Sequence, residues 1–517
     1  MAKITTATKT VTYDAAASGV IGAMQIINRC DNQYFTIARD LLVDYTGDTG
    51  DTTTPAGWIY MVMDDTSGTG FRVNGGVTLT ITGYKGYGGA HDWSFNAGGG
   101  TIKWRPDADA KGYLYADGAT GVIFAQLNLD FSDLAVIESM NRAGTGVTTR
   151  DITTRPPDDN SNPANSRAVI VGRTDGATQR FAAKDSVAGT DAYRNFLFIC
   201  DGMEGRYGNF LQVAAVGTDA SPNLVIMEKE AIAGLAFYRN TSTGGGGWVK
   251  ANPDTLGVAR LVLEGNFYTQ DITHAGARAQ WNMSQIQLQM GGEKPLNDPG
   301  TGDPLLPLSF QQFTWFGVDR NAGGTLPYTD PAYFDYAGYT NNAAVRKLLI
   351  GSDEGTGANG VRFLTSTNGS AMCTWGLEFT PGGYLYIENA DDYVYWLSTS
   401  EAVSGVKGTG LVLPAGTTLA DFTNRPENIR MVGRWPGDAD LSLSVDYLDL
   451  GALAGSYRQS GKTWAEGDFT GDGSVDYLDL GVLAGNYRSG PMGYVPEPLT
   501  LGLLALAWPA LRRRTKA

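Results

Sequence analysis

Two acidic stretches near the C-terminus, about thirty residues apart, have the residue types and spacing to hold a metal ion. The first places Asp438, Asp440, Ser442, Asp446 and Asp449 at loop positions 1, 3, 5, 9 and 12, with the Ser444 carbonyl at position 7. The second places Asp468, Thr470, Asp472, Asp476 and Asp479 at the same positions, with Ser474 at position 7. Oxygens at this spacing form the ligand set of a calcium loop, in which a hard cation gathers six or more of them. Eight aspartates in two such loops would repel one another without a cation among them. The second loop is the better copy, because Gly473 fills position 6, where the sharp turn favours a residue free to take positive φ. The first loop has Leu443 there and Ser442 in place of a carboxylate, so weaker binding is expected of it.

Each loop runs into the same amphipathic stretch. Leu450, Leu453, Ala454 and Tyr457 fall at i, i+3, i+4 and i+7, and Leu480, Leu483, Ala484 and Tyr487 repeat them. This order of loop, helix, spacer, loop and helix over residues 437–490 resembles a dockerin domain, the duplicated calcium-binding, EF-hand-like module that docks secreted carbohydrate-active proteins onto cohesins. The resemblance implies bound Ca2+ and a cohesin-facing surface around loop positions 10 and 11. Those positions are Tyr447 and Leu448 in one copy and Tyr477 and Leu478 in the other.

The chain end carries a second pattern. Pro496, Glu497 and Pro498 precede an apolar run from Leu499 to Leu511, then Arg512, Arg513 and Arg514. Residues 491–517 resemble a PEP-CTERM sorting signal, which implies recognition and removal by an exosortase-type membrane enzyme. It also implies delivery to the cell envelope, cell surface or extracellular matrix. Thirteen helical residues would reach about 20 Å, short of the roughly 30 Å hydrocarbon core, so only transient membrane contact is expected. The arginines would remain cytoplasmic. An exported chain should open with a basic, apolar, then small-residue leader. Met1–Lys9 has no apolar core and Val11–Met24 is broken by Tyr13, Asp14, Ser18 and Gly19, so a start lying elsewhere is expected.

The rest, residues 1–436, must position whatever else the protein does. Glycine is 69 of 517 residues and charged residues are 18%, a composition that fits an extracellular all-β protein. Three cysteines, Cys30, Cys200 and Cys373, make no disulfide framework. A net charge of −15 argues against nucleic acid. Val77, Leu79 and Ile81 alternate with Thr78, Thr80 and Thr82, and Ile286, Leu288 and Met290 alternate with Gln285, Gln287 and Gln289, as in half-buried strands. Apolar runs recur at Ala168–Val171, Phe196–Ile199, Leu211–Val216, Leu224–Met227, Leu261–Leu263 and Leu348–Ile350. Asp133–Met140 reads as one short helix at most, and 153–166 and 291–307 read as surface loops. Strands after Gly76, Gly100 and Gly121 have the spacing of solenoid coils. Leu377–Glu388 and Leu411–Leu419 share a strand, turn, strand grammar similar to that of β-helix surface proteins. The expected fold is mainly β, a right-handed parallel β-helix, with β-sandwiches as the alternative.

Catalysis has little support. His91 and His274 have no partner spacing, and neither a nucleophile elbow nor a phosphate-binding loop occurs. Carboxylates alone can serve a glycosidase or lyase, and the pairs to consider are Asp130 with Asp133, Asp201 with Glu204, and Glu388 with Asp391 and Asp392. Each reads better as a turn, so the catalytic residues are unknown. Tyr384 and Tyr386 share one face of a strand, and Tyr393 and Tyr395 share another, positions from which rings stack on sugars or simply brace a sheet. Phe313, Trp315 and Phe316 read as core. The sequence as a whole reads as an exported structural or adhesive protein with a calcium module, whose partners are an exosortase and either a cohesin or envelope polysaccharide. A secreted polysaccharide-degrading enzyme or a carbohydrate-binding protein is the alternative.

Overall fold

A computed structural model describes residues 11–13, 19–21, 24–28, 34–43, 58–63, 70–88, 99–107, 109–118, 122–142, 150–155, 162–183, 195–199, 208–237, 248–269, 282–291, 306–307, 310–315, 318–319, 344–352, 359–365, 370–399, 401–403, 406–432, 436–440 and 444–488. The chain divides into two compact units, Met1–Val432 and Gly433–Ala517, a few residues before the boundary expected at 436. The tail motif from Pro496 to Arg514, both histidines, Cys30, Cys200, Asp201, Glu204, Ser442 and Phe316 lie outside the described residues.

The first unit is mainly β, and its strands pair in parallel with few exceptions. Asn128–Asp130, Val136–Arg142 and Arg150–Arg155 belong to three different sheets. The next three strands, Ala168–Val171, Gln179–Ala183 and Asn195–Ile199, pair in parallel with those three in the same order. Phe210–Val213, Asn223–Met227 and Ile232–Phe237 repeat the step, and Trp248–Ala251, Ala259–Leu263 and Asn266–Thr269 repeat it again. Parallel neighbours need long crossovers, and here each crossover is made of strands of the other two sheets. The resulting long sheets have 8, 16 and 8 strands, with a further three-stranded sheet of Val11–Tyr13, Tyr34–Ile37 and Gly70–Val73.

Side-chain alternation explains the inward faces. Leu79 and Ile81 are fully buried while Thr78 and Thr80 of the same strand are half-exposed. Every apolar run singled out between residues 168 and 350 lies in or overlaps a strand. Phe267, Phe313 and Phe363 stand in register on successive strands, with ring centroids 5.7 and 5.4 Å apart. Such pairs add about 0.5–1.5 kcal/mol each beyond burial. Amide side chains close the corners between sheets. Buried Gln179 accepts from Gly172 N at 2.8 Å and donates to the Phe131 and Leu134 carbonyls at 2.7 and 3.0 Å. Buried Asn223 likewise accepts from Val216 N and donates to the Ala214 carbonyl.

Several sequence expectations need correction. Val136–Arg142 is a strand, not a helix, because it is held between Lys111–Gly118 and Gln179–Ala183. Gln287 and Gln289 are buried instead of facing water, since they bond Arg260, the Asp219 carbonyl and the Gly351 carbonyl. The strands after Gly76 and Gly100 are neighbours, but Val122–Ala125 belongs to another sheet, so the glycine spacing is not a repeat. In the same sheet later starts, Ala168 and Phe210, lie 42 residues apart. Leu377–Glu388 does form strand, turn and strand, whereas Leu411–Leu419 ends in the 3-10 turn Leu419–Asp421. The 153–166 stretch is also only partly loop, with a strand continuing to Arg155 and a 3-10 turn at Pro163–Asn165. Phe313 and Trp315 are core, as expected.

Candidate metal centre

The second unit is built from the two acidic loops and the helices that follow them, α1 (Tyr447–Ser456) and α2 (Tyr477–Asn486). Position 9 of each loop is also a helix cap. The Asp446 carboxylate accepts from Leu448 N at 2.7 Å, and Asp476 accepts from Leu478 N at 2.7 Å. Position 12 completes the reciprocal box: Asp449 accepts from Asp446 N and Asp479 from Asp476 N, each at 2.8 Å. The other oxygen of position 12 draws in the start of its own loop. Asp449 accepts from Ala439 N at 2.6 Å, and Asp479 accepts from Phe469 N and Thr470 N at 2.8 and 2.9 Å.

The two copies interlock. Arg458 N, just past α1, donates to the Val475 carbonyl of the second loop at 2.7 Å. Arg488 N, just past α2, donates to the Val445 carbonyl of the first loop, also at 2.7 Å. The glycine ahead of each loop has positive φ (Gly437 +92, Gly467 +101) and lies against the other copy's helix, at Leu483 and Leu453 respectively. Val445, Val475, Leu453, Leu483 and Phe469 are buried between the copies, and Trp464 packs edge-on to Phe469 while its Nε1 donates to the Asp438 carbonyl. The amphipathic stretches are therefore only partly inward. Leu453 and Leu483 are buried, but Leu450, Ala454, Tyr457, Leu480, Ala484 and Tyr487 face outward.

The carboxylates fit a hard cation by donor type and by burial. Asp438, Asp440 and Asp449 bring one oxygen each within 4.8 Å of one another, and Asp438 and Asp449 are fully buried. In the second loop Asp468 and Asp479 are the buried pair. Asp468 accepts from Gly471 N and Gly473 N at 2.8 and 2.9 Å, and Gly473 has φ +85. Asp472 accepts from Ser474 N at 2.7 Å. Burial pushes the Asp468 carboxyl up to about 6, with the Asp479 and Asp472 charges adding to it. Asp449 and Asp479 are also raised, chiefly by burial. A buried carboxylate held against its own charge favours a proton or a bound cation. Among the described residues the three-carboxylate cluster lies in the first loop, the one expected to be the poorer copy.

The expected partner-facing residues lie outward: Tyr447 is 58% exposed, Leu448 53% and Tyr477 62%, with Leu478 half-buried. Of the sugar-stacking candidates, Tyr384 and Tyr386 are half-exposed on Gly383–Ile387, as expected. Tyr395 is instead fully buried, within Tyr393–Trp396, and only Tyr393 reaches outward, under the Arg430 guanidinium. Asp201 and Glu204 lie outside the described residues; the other acidic groups are engaged. Lys103 lies 2.8 Å from Asp133 and 3.9 Å from Asp130, Arg362 bonds Glu388 at 2.8 Å, and buried Asp392 accepts from Thr365 Oγ1 at 2.7 Å. Sequence reasoning missed Trp464, Arg458 and Arg488, whose roles depend on the second copy. No family model, curated protein or solved structure matches the chain.

Proposed function

We propose that the chain is an exported structural or adhesive protein of the cell envelope or extracellular matrix, with a dockerin-like calcium module behind a β-rich ectodomain. The carrying observation is the repeated geometry of the two loops, in which positions 1 and 12 are buried aspartates, with Asp449, Asp468 and Asp479 raised by that burial. Asp438, Asp440, Asp446 and Asp449 would hold one Ca2+, with Ser442 and Ser444 as further oxygens. Asp468, Thr470, Asp472, Ser474, Asp476 and Asp479 would hold the other. Bound calcium supplies neutralising charge. The chain's own contribution is to cap α1 and α2 and to lock each loop onto the other copy. The outward Tyr447, Leu448 and Tyr477, with half-buried Leu478 beside them, support docking onto a cohesin-like partner.

For the ectodomain we infer a parallel β-helix, supported by three sheets visited in rotation and paired in parallel; a right hand follows from the strong preference of parallel crossovers. Engagement of Asp130, Asp133, Glu388 and Asp392 supports binding over hydrolysis at those positions. Residues 491–517 are proposed as the exosortase-sorted tail. Replacing Pro496, Glu497 and Pro498 with alanine in the native host should leave that tail attached, read by intact mass; normal loss of the tail would contradict the sorting proposal. Calcium calorimetry on the Asp472→Ala, Asp476→Ala double variant tests the ligand assignment, with one site fewer expected and unchanged stoichiometry contradicting it.

A further inference from the structure

We propose that the outer face of the third long sheet, around Arg362 and Glu388, binds a neutral linear polysaccharide. The strands Asn266–Thr269, Gln311–Trp315, Asn359–Thr365 and Gly383–Ile387 are consecutive neighbours there. Their inward positions hold the phenylalanine row and are buried, while the half-buried outward positions are mostly rings and planar polar groups, with Thr314 and Leu364 among them. Gln312, Arg362 and Tyr386 form one cross-strand row, and Tyr268, Thr314 and Leu364 form the next. Adjacent members of a row are about 4.8 Å apart, close to the length of one sugar residue in an extended glycan.

The groups are already set in place. Tyr268 Oη donates to Gln312 Oε1 at 3.1 Å, and Asn266 fixes the Gln312 backbone N at 2.9 Å. Gly360 leaves room for Phe310, which a Cβ there would meet at 2.6 Å. Phe310 in turn meets the Tyr386 ring edge-on, at 6.4 Å between centroids. The Arg362–Glu388 pair joins Nε to Oε2 at 2.8 Å, with the two side chains 18% and 33% exposed. Among the described residues, that bond leaves the guanidinium Nη groups as donors beside Glu388 Oε1 as an acceptor. A donor and an acceptor side by side, next to tyrosine rings, match the vicinal hydroxyls and apolar ring face of a pyranose. The mutual neutralisation of Arg362 and Glu388 favours an uncharged chain over an acidic one, and their partial burial strengthens each hydrogen bond.

This ligand deepens the adhesive reading and rests on it for its setting, but it does not depend on the calcium loops. The test titrates calcium-loaded full chain with xylo-, cello- and manno-oligosaccharides by calorimetry, with alginate oligomers as the acidic comparison. One neutral series should bind, and Glu388→Gln, which keeps the side-chain shape, should weaken it about tenfold, the loss of a well-placed hydrogen bond. Tyr386→Ala should weaken it at least as much, with the fold retained by far-UV circular dichroism despite the lost Phe310 contact. The proposal is overturned if no neutral series binds, if alginate alone binds, or if Glu388→Gln binds like the parent. Calcium stoichiometry measured on the same samples separates this failure from failure of the calcium reading.

Discussion

Asp468 shows how one residue couples the candidate metal site to acidity. Its carboxyl is raised from an ordinary 3.8 to about 6, mainly by burial. Without calcium, a raised carboxyl gives stability that is full below its ordinary value and lost as pH rises through 6. Ion-free protein should therefore lose stability in its second unit between pH 4 and 7. Calcium binding needs the ionised form, so calcium affinity should instead fall as pH drops from 7 through 6, with proton release on binding. Calorimetry in buffers of different ionisation enthalpy checks both. Affinity that is flat from pH 7 to 5 would remove Asp468 from the ligand set. The acidic residues of the two loops and their spacing were legible in the sequence because oxygen-bearing side chains recur at fixed positions. The double use of Asp446 and Asp476 as helix caps was not, since it depends on where the chain bends into α1 and α2.

At the scale of elements, the corners between sheets hold as much information as the strands. Gln179→Leu keeps the side chain's bulk but leaves the Gly172 N–H and the Leu134 carbonyl without the amide, while the Phe131 carbonyl keeps its bond from Leu134 N. A loss of about 3 kcal/mol is expected, seen as a lower denaturation midpoint at an unchanged slope. A loss below about 0.5 kcal/mol would mean that water replaces the amide. Asp446→Ala should cost about 1 kcal/mol of α1 stability through the lost cap, measured as reduced amide protection in that helix. Strand existence was largely readable, since runs such as Ala168–Val171 and Leu348–Ile350 are apolar and short. Strand 136–142 was misread because parallel neighbours on both sides outweigh its local preference. Burial of Gln287 and Gln289 was hidden for a similar reason: their partners Arg260 and Gly351 are remote in sequence. Tyr395 shows the limit of period-two reasoning, for its strand is buried at three consecutive positions.

For the whole molecule, the two units carry different parts of the account. Residues Met1–Val432 supply the long parallel sheets and the proposed glycan face, and the unit from Gly433 supplies the two acidic loops proposed to bind calcium. Among the described residues no helix is long and apolar enough to cross a membrane. The rotation of strands among three sheets was not legible as a repeat, because paired strands start anywhere from 22 residues apart (Gly19 to Leu41) to 61 apart (Met283 to Ala344). The two loops are proposed to bind one Ca2+ each and thereby stabilise the second unit, which calorimetric titration of the metal-stripped full chain with calcium decides. Two bound ions per chain are predicted, with one lost in the Asp472→Ala, Asp476→Ala variant and a raised melting temperature for the second unit on binding. No heat of binding, or no change in melting temperature at saturating calcium, would contradict the account.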